Sequence, residues 1–460
     1  MATQIEQHPL HTTLPTGQDV IFSVSNTNII ANFTGVKMVA EVHISSGLPP
    51  NLSTSDDIVG TFKTTPNNAG VGMFDFRPII ESFVNADNLA REGSAYKLAI
   101  NTSDTNVPMH LIDKYSGNLN TMRYLAIVFT TEYIDSSGDL VIDSTSDNSD
   151  DYKVFNGYLK YTDILELVDN NFGYNLSQFI PFDNQNKFLS NAPLTQYANL
   201  EDYGTISFLA LNDRVSYIKL NYVNNGIALG FDNILRTSAN GAYDIFQAAI
   251  SSQILYFGCF PANLQGSSAI FKALIIAGTI QGGAIEVTAF NNLDQEISNT
   301  YTINVNCPTL KGFEPIRLTW LNQWGAWDYY TFTMKSSKMI STKGSTYQQL
   351  EGSWNESFYR IDGFKGGKKS FRVNATEKIT MNTDFVNESE SEWFEDLINS
   401  PEVYILKGYK DEAQDVALNQ YVIPVRLTTS SFTKKTIAND KVMQYTFEVE
   451  KSKTLRTQSI

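Results

Sequence analysis

Glu314 to Lys335 reads EPIRLTWLNQWGAWDYYTFTMK, and its period decides the fold class. Ile316, Leu318 and Trp320 alternate with Arg317 and Thr319; Tyr330, Phe332 and Met334 alternate with Thr331 and Thr333. A repeat of two in residues of high strand preference predicts two half-buried strands. Between them lies Asn322-Gln323-Trp324-Gly325-Ala326-Trp327-Asp328, where Gly325 takes a positive φ without penalty, so the whole stretch reads as a β-hairpin. Two tryptophans flank that glycine. Trp324, Trp327 and the adjoining Tyr329 either fold back on their own domain or anchor an interface, and all three are taken as interface candidates.

Working outward, other segments repeat the pattern. Val36, Met38, Ala40, Val42 and Ile44 alternate with Lys37, Glu41 and His43, an amphipathic strand with His43 on its polar face. At 71–84 the period changes: Met73, Phe74 and Phe76 suit a strand, then Pro78 opens a helical turn carrying Ile79, Ile80, Phe83 and Val84. Strands are expected at 95–100 and at 122–134, the latter so continuously apolar that it reads as a central strand. The run DSSGDLVIDSTSDNSDD, 135–151, is an acidic loop or linker with a short edge strand at 140–142. Its spacing lacks the alternating Asp pattern and closing Glu of a calcium loop.

Further strands are expected at 204–211, 215–222, 254–260, 271–277, 284–290 and 302–306, with Asn224-Asn225-Gly226 as a tight reversal. The polar passage 169–202 reads as a long binding loop. Beyond the opening hairpin, a Lys/Gly-rich turn at 364–369 leads to strands at 371–373 and 377–382. Glu388 to Asn399 reads as the one convincing helix, acidic at its start and apolar through Trp393, Phe394, Leu397 and Ile398. Strands follow at 403–406, at 421–427 (an edge or bulge, because of Pro424) and at 444–450.

The expected class is therefore mainly β: tandem β-sandwich or barrel-like modules with a few short helices. The expected division is an N-terminal β domain at 1–134, an acidic linker or loop at 135–151, and a middle β domain at 152–309. A C-terminal β domain with one helix at 310–450 and a tail or arm at 451–460 complete it.

Composition narrows function. The 460 residues carry a net charge of −15, which disfavours wrapping a phosphate backbone and favours solubility at high copy number. The start, MATQIEQHPLHTT, lacks the basic and apolar regions of a signal peptide, and no apolar run reaches the length of a membrane helix. A soluble protein synthesised in a cytoplasm is the expectation. The two cysteines, Cys259 and Cys307, lie in apolar or β-like runs and are expected to be reduced. The four histidines form no cluster of metal-ligand spacing; His8 and His11 flank Pro9 without a third ligand nearby. No nucleophile elbow, phosphate loop or dinucleotide fingerprint occurs, and context singles out no Asp or Glu. The chain is expected to be no enzyme and to use no cofactor, metal or catalytic residue.

Several segments taken together resemble a family of tailed-bacteriophage virion proteins, notably tail-ring and tail components of crAss-like podoviruses. They are GVGMFDFRPIIESFV at 70–84, VFNG at 154–157 and KFLSNAPLTQYANLEDYGTISFL at 187–209. IRLTWLNQWGAWDYYTF at 316–332 and TMNTDFVNESESEWFEDLINSPEVYIL at 380–406 complete the series. The resemblance implies a virion structural subunit, a ring or collar between portal and distal tail. Its partners would be copies of itself, other tail proteins and the portal, with no catalytic residues. The alternative is a receptor-binding, fibre or head-decoration protein that binds host surface glycans through exposed aromatics.

Overall fold

The computed structural model describes residues 2–456 except 56, 91–106, 114, 119, 168–175, 177–178, 180–183, 211–214, 236–252, 306–312, 354–355, 409–420, 432 and 434–442. The strand expected at 95–100, Cys307 and part of the 169–202 passage therefore lie outside the described residues. The chain is mainly β, with several sheets and few short helices. It divides into two compact units, which do not follow the expected three-domain division. The first comprises Met1–Pro308, Leu321–Tyr329 and Gly408–Asn419; the second comprises Thr309–Trp320, Tyr330–Lys407 and Gln420–Ile460.

In the first unit, Met122–Ile134 is central, as its continuous apolar run predicts. It pairs with Thr34–Ser45 on one side and with Tyr152–Phe155, Asp147–Asn148 and Leu140–Ile142 on the other. The 135–151 run is thus no linker. It folds back so that two short strands continue the sheet beside Tyr152–Phe155. A second sheet, Gln4–Gln7, Ile21–Ser25 and Val71–Asp75, shares its apolar core. Phe22 meets Phe76, Phe129 and Tyr152 at ring-centroid distances of 5.7, 5.6 and 5.5 Å, joining both sheets through one aromatic cluster. Because both faces of Thr34–Ser45 are covered near its end, His43 is buried, not solvated. Its Nε2 lies 3.0 Å from Glu41 Oε1, and Nδ1 has no partner among the described residues.

A five-stranded sheet orders Thr195–Ala198, Tyr301–Val305, Ala284–Phe290, Tyr217–Asn224 and Ile227–Leu235. Asn225 and Gly226, with φ of 47° and 75°, form the expected two-residue reversal between its last two strands. Thr205–Ala210, Gln253–Gly258 and Tyr115–Asn118 form another sheet. The run expected as a strand at 271–277 is instead the helix Ala269–Ile276. Ser268 caps it, accepting from Phe271 N at 2.8 Å, and Pro261 opens the helix before it. Glu388–Asn399 is consequently not the lone helix; Tyr161–Leu167 is another.

The second unit is organised on one sheet, in the order Trp327–Phe332, Ile316–Leu321, Val403–Leu406, Val422–Leu427, Thr446–Lys451, Gly367–Asn382 and Ser336–Gln349. The opening hairpin is as predicted, with Gly325 at φ 73°; its tip, Leu321–Tyr329, belongs to the first unit. Helix Glu388–Asn399 begins in a capping box: Asn387 Oδ1 accepts from Glu390 N at 2.9 Å, and Glu390 Oε2 accepts from Asn387 N at 2.9 Å. Its Phe394 packs on Trp320, Tyr330, Phe332 and Phe447. Pro424 sits on an interior strand, not an edge or bulge. Its neighbour Val425 starts the ladder with Thr446–Lys451, so the absent N–H falls at the ladder's end.

Two expected fragments, 371–373 and 377–382, are one strand of 16 residues, Gly367–Asn382. It pairs along its length with a strand of 14, Ser336–Gln349, that alternation does not reveal. The tail is docked at its start: Leu455 and Ala375 exchange two backbone hydrogen bonds of 2.8 Å.

Candidate interaction surface

The three interface candidates are built into the first unit. Asn322 Oδ1 accepts from the backbone of Trp324 at 3.0 Å and Ala326 at 3.1 Å, closing the hairpin tip as an Asx turn. Gly325 fits there because a Cβ would lie 2.3 Å from Asn156 O. Trp324 packs on Phe179 with the rings tilted by 45° and their centroids 4.3 Å apart, and donates Nε1–H to Asn191 Oδ1 at 3.0 Å. Trp327 donates to Asp87 O at 2.9 Å and meets the His110 ring edge-on at 4.8 Å. Tyr329 OH lies 2.9 Å from both His110 Nδ1 and Thr205 Oγ1. All three aromatic side chains are buried, so the tip is folded onto its own unit and presents none of them as an anchor.

Beside them Asp328 accepts from Ser190 Oγ at 2.7 Å and from Asn322 Nδ2 at 3.1 Å. Burial foremost, then the Asp328 carboxylate, pushes the Tyr301 phenol well above its ordinary range. The space left among Ser190, Thr205, Asp328 and Tyr329 is about 10 Å³, room for a single water. The charge here is matched by hydrogen-bond donors, which suits a packed polar core. Among the described residues no three His, Cys, Asp or Glu side chains are grouped to hold a metal ion, and the Cys259 thiol is free and buried.

The exposed surface with a built geometry lies in the second unit, on the ribbon formed by Ser336–Gln349 and Gly367–Asn382. Its root is held. Ile379 and Met381 are buried in the sheet; Lys378 pairs with Glu448 at 2.9 Å, Lys451 with Glu377 at 2.7 Å and Lys338 with Glu314 at 2.6 Å. Past Glu377 the two strands run as an arm for about 30 Å, at about 3.3 Å per residue. A two-stranded ribbon exposed on both faces is marginal alone in water, and this one is held at its root by the larger sheet.

Register sorts the arm's side chains, because residues directly opposite share a face. Ile340, Thr342 opposite Ala375, and Gly344 opposite Val373 share one face, extended by Leu455 across from Ala375. Lys343 opposite Asn374, Ser345 opposite Arg372, and Tyr347 opposite Lys369 share the other. Toward the root the first face carries the apolar Ile340, Val373 and Leu455, 62%, 41% and 46% exposed, with Glu377 opposite Ile340, and farther out it turns polar at Thr346, Gln348 and Lys368; the other face is basic. The strand shift between Ser345 and Thr346 lets Phe371 bulge, 6.4 Å from the Tyr347 ring.

At the far end, Gly352–Ser353 pairs with Arg360–Ile361. Asp362 ties that end together: Lys365 Nζ lies at 2.9 Å and Arg360 Nε at 3.5 Å. The hydrogen bond from Lys365 holds the Asp362 carboxyl below the usual carboxylate range. The Lys/Gly-rich turn, Phe364 to Lys369, is thus the inner side of this end, with Gly366 and Gly367 at φ 91° and 74°. Phe358 is 84% exposed and Phe364 78%, beside half-exposed or more exposed Tyr359 and Ile361. Between Ser336 and Asn382 eight Lys or Arg stand against four Asp or Glu, while the whole chain has 34 against 49. A basic, aromatic-tipped arm on an acidic chain is equipped to dock, and sequence pattern alone missed it.

No protein-family model matches this chain, and no curated protein matches it. Among solved structures it is similar to the crystal structure of Rst D1-D2, at 9% identity and a TM-score of 0.18, over 66% of this chain and 99% of that one. It is also similar to Escherichia coli alpha-2-macroglobulin. The native conformation gives 8% identity and a TM-score of 0.17, over 85% of this chain and 22% of that one. The trypsin-activated form gives 7% identity and a TM-score of 0.18, over 84% and 26%. Likenesses so distant carry no argument about function.

Proposed function

We propose that this chain is a structural subunit of a bacteriophage virion, part of a tail ring or collar between portal and distal tail, assembled from copies of itself. The observation that carries the reading is the arm: about 30 Å of ribbon that carries both exposed apolar and exposed basic side chains. Segments from 70 to 406 that resemble tail-ring proteins support the same reading. Subunits of a closed ring bind head to tail through a heterologous interface, and an arm from each copy onto the next is one way to build it. Axial neighbours, other tail proteins and the portal, would meet the remaining exposed surface. Negative-stain images of the purified protein, alone and mixed with its virion neighbours, test this. Closed rings with a definite rotational order are expected; a monomer at high concentration that assembles with none of them would refute it.

Phe358, Tyr359 and Phe364 at the arm's end favour a second reading, a receptor-binding or decoration protein, since exposed rings stack on sugars as well as on protein. Glycan binding lost in Phe358→Ala, with self-assembly intact, is the result that would select it.

A further inference from the structure

The first unit carries an edge that is the electrostatic complement of the arm. Leu140–Ile142 pairs with Glu132–Ile134 of the central strand, and among the described strands nothing pairs with its outer side. Leu140 and Ile142 are 64% and 62% exposed and share a face with Ile134. Asp139 and Asp143 flank that short strand and Asp135 precedes it; Asp147, Asp150 and Asp151 lie farther along the same side of the central strand, and 135–151 holds no Lys or Arg. Asp135, Asp143 and Asp147 spend their carboxylates on turn and backbone donors, as in Asp147 Oδ2 accepting from Ile5 N at 2.8 Å; Asp139 and Asp150 are exposed. Exposed apolar side chains on an open strand invite pairing, and the negative charge around them decides with what.

We infer that the arm of one copy pairs edge to edge with Leu140–Ile142 of a second copy, so that Ile340 and Val373 continue the face of Leu140 and Ile142 while Lys343, Lys369 and Arg372, on the opposite face, lie on the side of Asp139 and Asp143. This rests on the self-assembly reading above and names the surface that receives the arm. Charge fixes the sense of the contact. Two acidic edges repel each other and two basic arms repel each other, so the contact joins an arm to an edge, and in the ring proposed above each copy offers its arm to one neighbour and its edge to the other. That is a heterologous contact, the kind that closes rings.

The test uses the full chain and two charge reversals confined to exposed side chains, Asp139→Lys at the edge, and Lys343→Glu with Arg372→Glu on the arm. Sedimentation velocity reads association, and thermal melting checks that each variant folds as wild type does. Each reversal alone is expected to weaken self-association by about tenfold or more, and raised salt should weaken the wild type. Mixing the two variants one to one should restore association, because each reversed arm then meets a reversed edge. Two outcomes overturn the inference while leaving assembly itself standing: variants that associate as the wild type does, or losses that mixing fails to repair. A wild type that stays monomeric throughout overturns the assembly reading and the inference with it.

Discussion

Cutting the arm back should separate docking from folding. The perturbation replaces Lys343–Asn374 by Asn-Gly, which closes a two-residue hairpin between the paired residues Thr342 and Ala375 and keeps the Leu455 bridge. Among the described residues removed, Gly352 and Ser353 alone are buried, and they are buried against the arm's own end. The sheet, helix Glu388–Asn399 and their aromatic core lose nothing, so stability should change by no more than about 1 kcal/mol, a few degrees in melting temperature. Association should suffer far more. If three of the exposed side chains Phe358, Tyr359, Ile361, Phe364, Phe371 and Val373 are buried on docking, each contributes about 1.5–3 kcal/mol. Ordering costs about 0.5–1.5 kcal/mol apiece, which, low taken with low and high with high, leaves about 3–4.5 kcal/mol, between about a hundred and about two thousandfold in affinity. Calorimetry and sedimentation velocity on the same samples read both quantities. A shortened chain that melts more than about 10 °C early would show the arm to be part of a core, and one that assembles like wild type would show that it docks nothing.

Three further expectations concern the scaffold. Gly325→Ala should cost the first unit about 3 kcal/mol or more in chemical denaturation, since φ of 73° strains any Cβ and Asn156 O and Thr121 Cγ2 lie 2.3 and 2.6 Å from it. Phe394→Ala empties the centre of the second unit's aromatic cluster and should cost about 3–5 kcal/mol, whereas Asn387→Ala removes the helix cap for about 1 kcal/mol; equal losses would contradict the packing described. The Lys378 and Thr428 hydrogen bonds hold the Glu448 carboxyl below its ordinary value, so its contribution is present at neutral pH and is lost as pH falls through and below the usual glutamate range. Lys378→Met should flatten that acid slope in a melting series; an unchanged slope would show that the root pair plays no part.

What the sequence disclosed follows from which faces are buried. The hairpin around Gly325 and the helix at 388–399 are legible because each has one covered face, which imprints a period of two or of 3.6. Alternation implies one wet face and so puts His43 in solvent, whereas the face that carries it is buried as well. The apolar run at 269–276 is short enough to suit strand or helix, and Ser268 with its cap bond decides for helix. The arm left no pattern for the opposite reason. Neither face is buried, so Thr, Gln, Glu and Lys interrupt the apolar side, and its few alternating apolar residues are too sparse to read as a strand. Its one compositional trace is the excess of basic residues in an acidic chain. For Trp324 and Trp327 the sequence leaves folding back and anchoring an interface both open; Asn191 and the Asp87 carbonyl, which take their indole N–H groups, decide for folding back.

The central claim is that copies of this chain bind one another in a closed order. Native mass spectrometry of the purified wild type measures that directly. The account requires one dominant species at a fixed integer multiple of the chain mass, dissociating as salt is raised. A single-chain mass at every concentration, or an open-ended ladder of sizes, would contradict it.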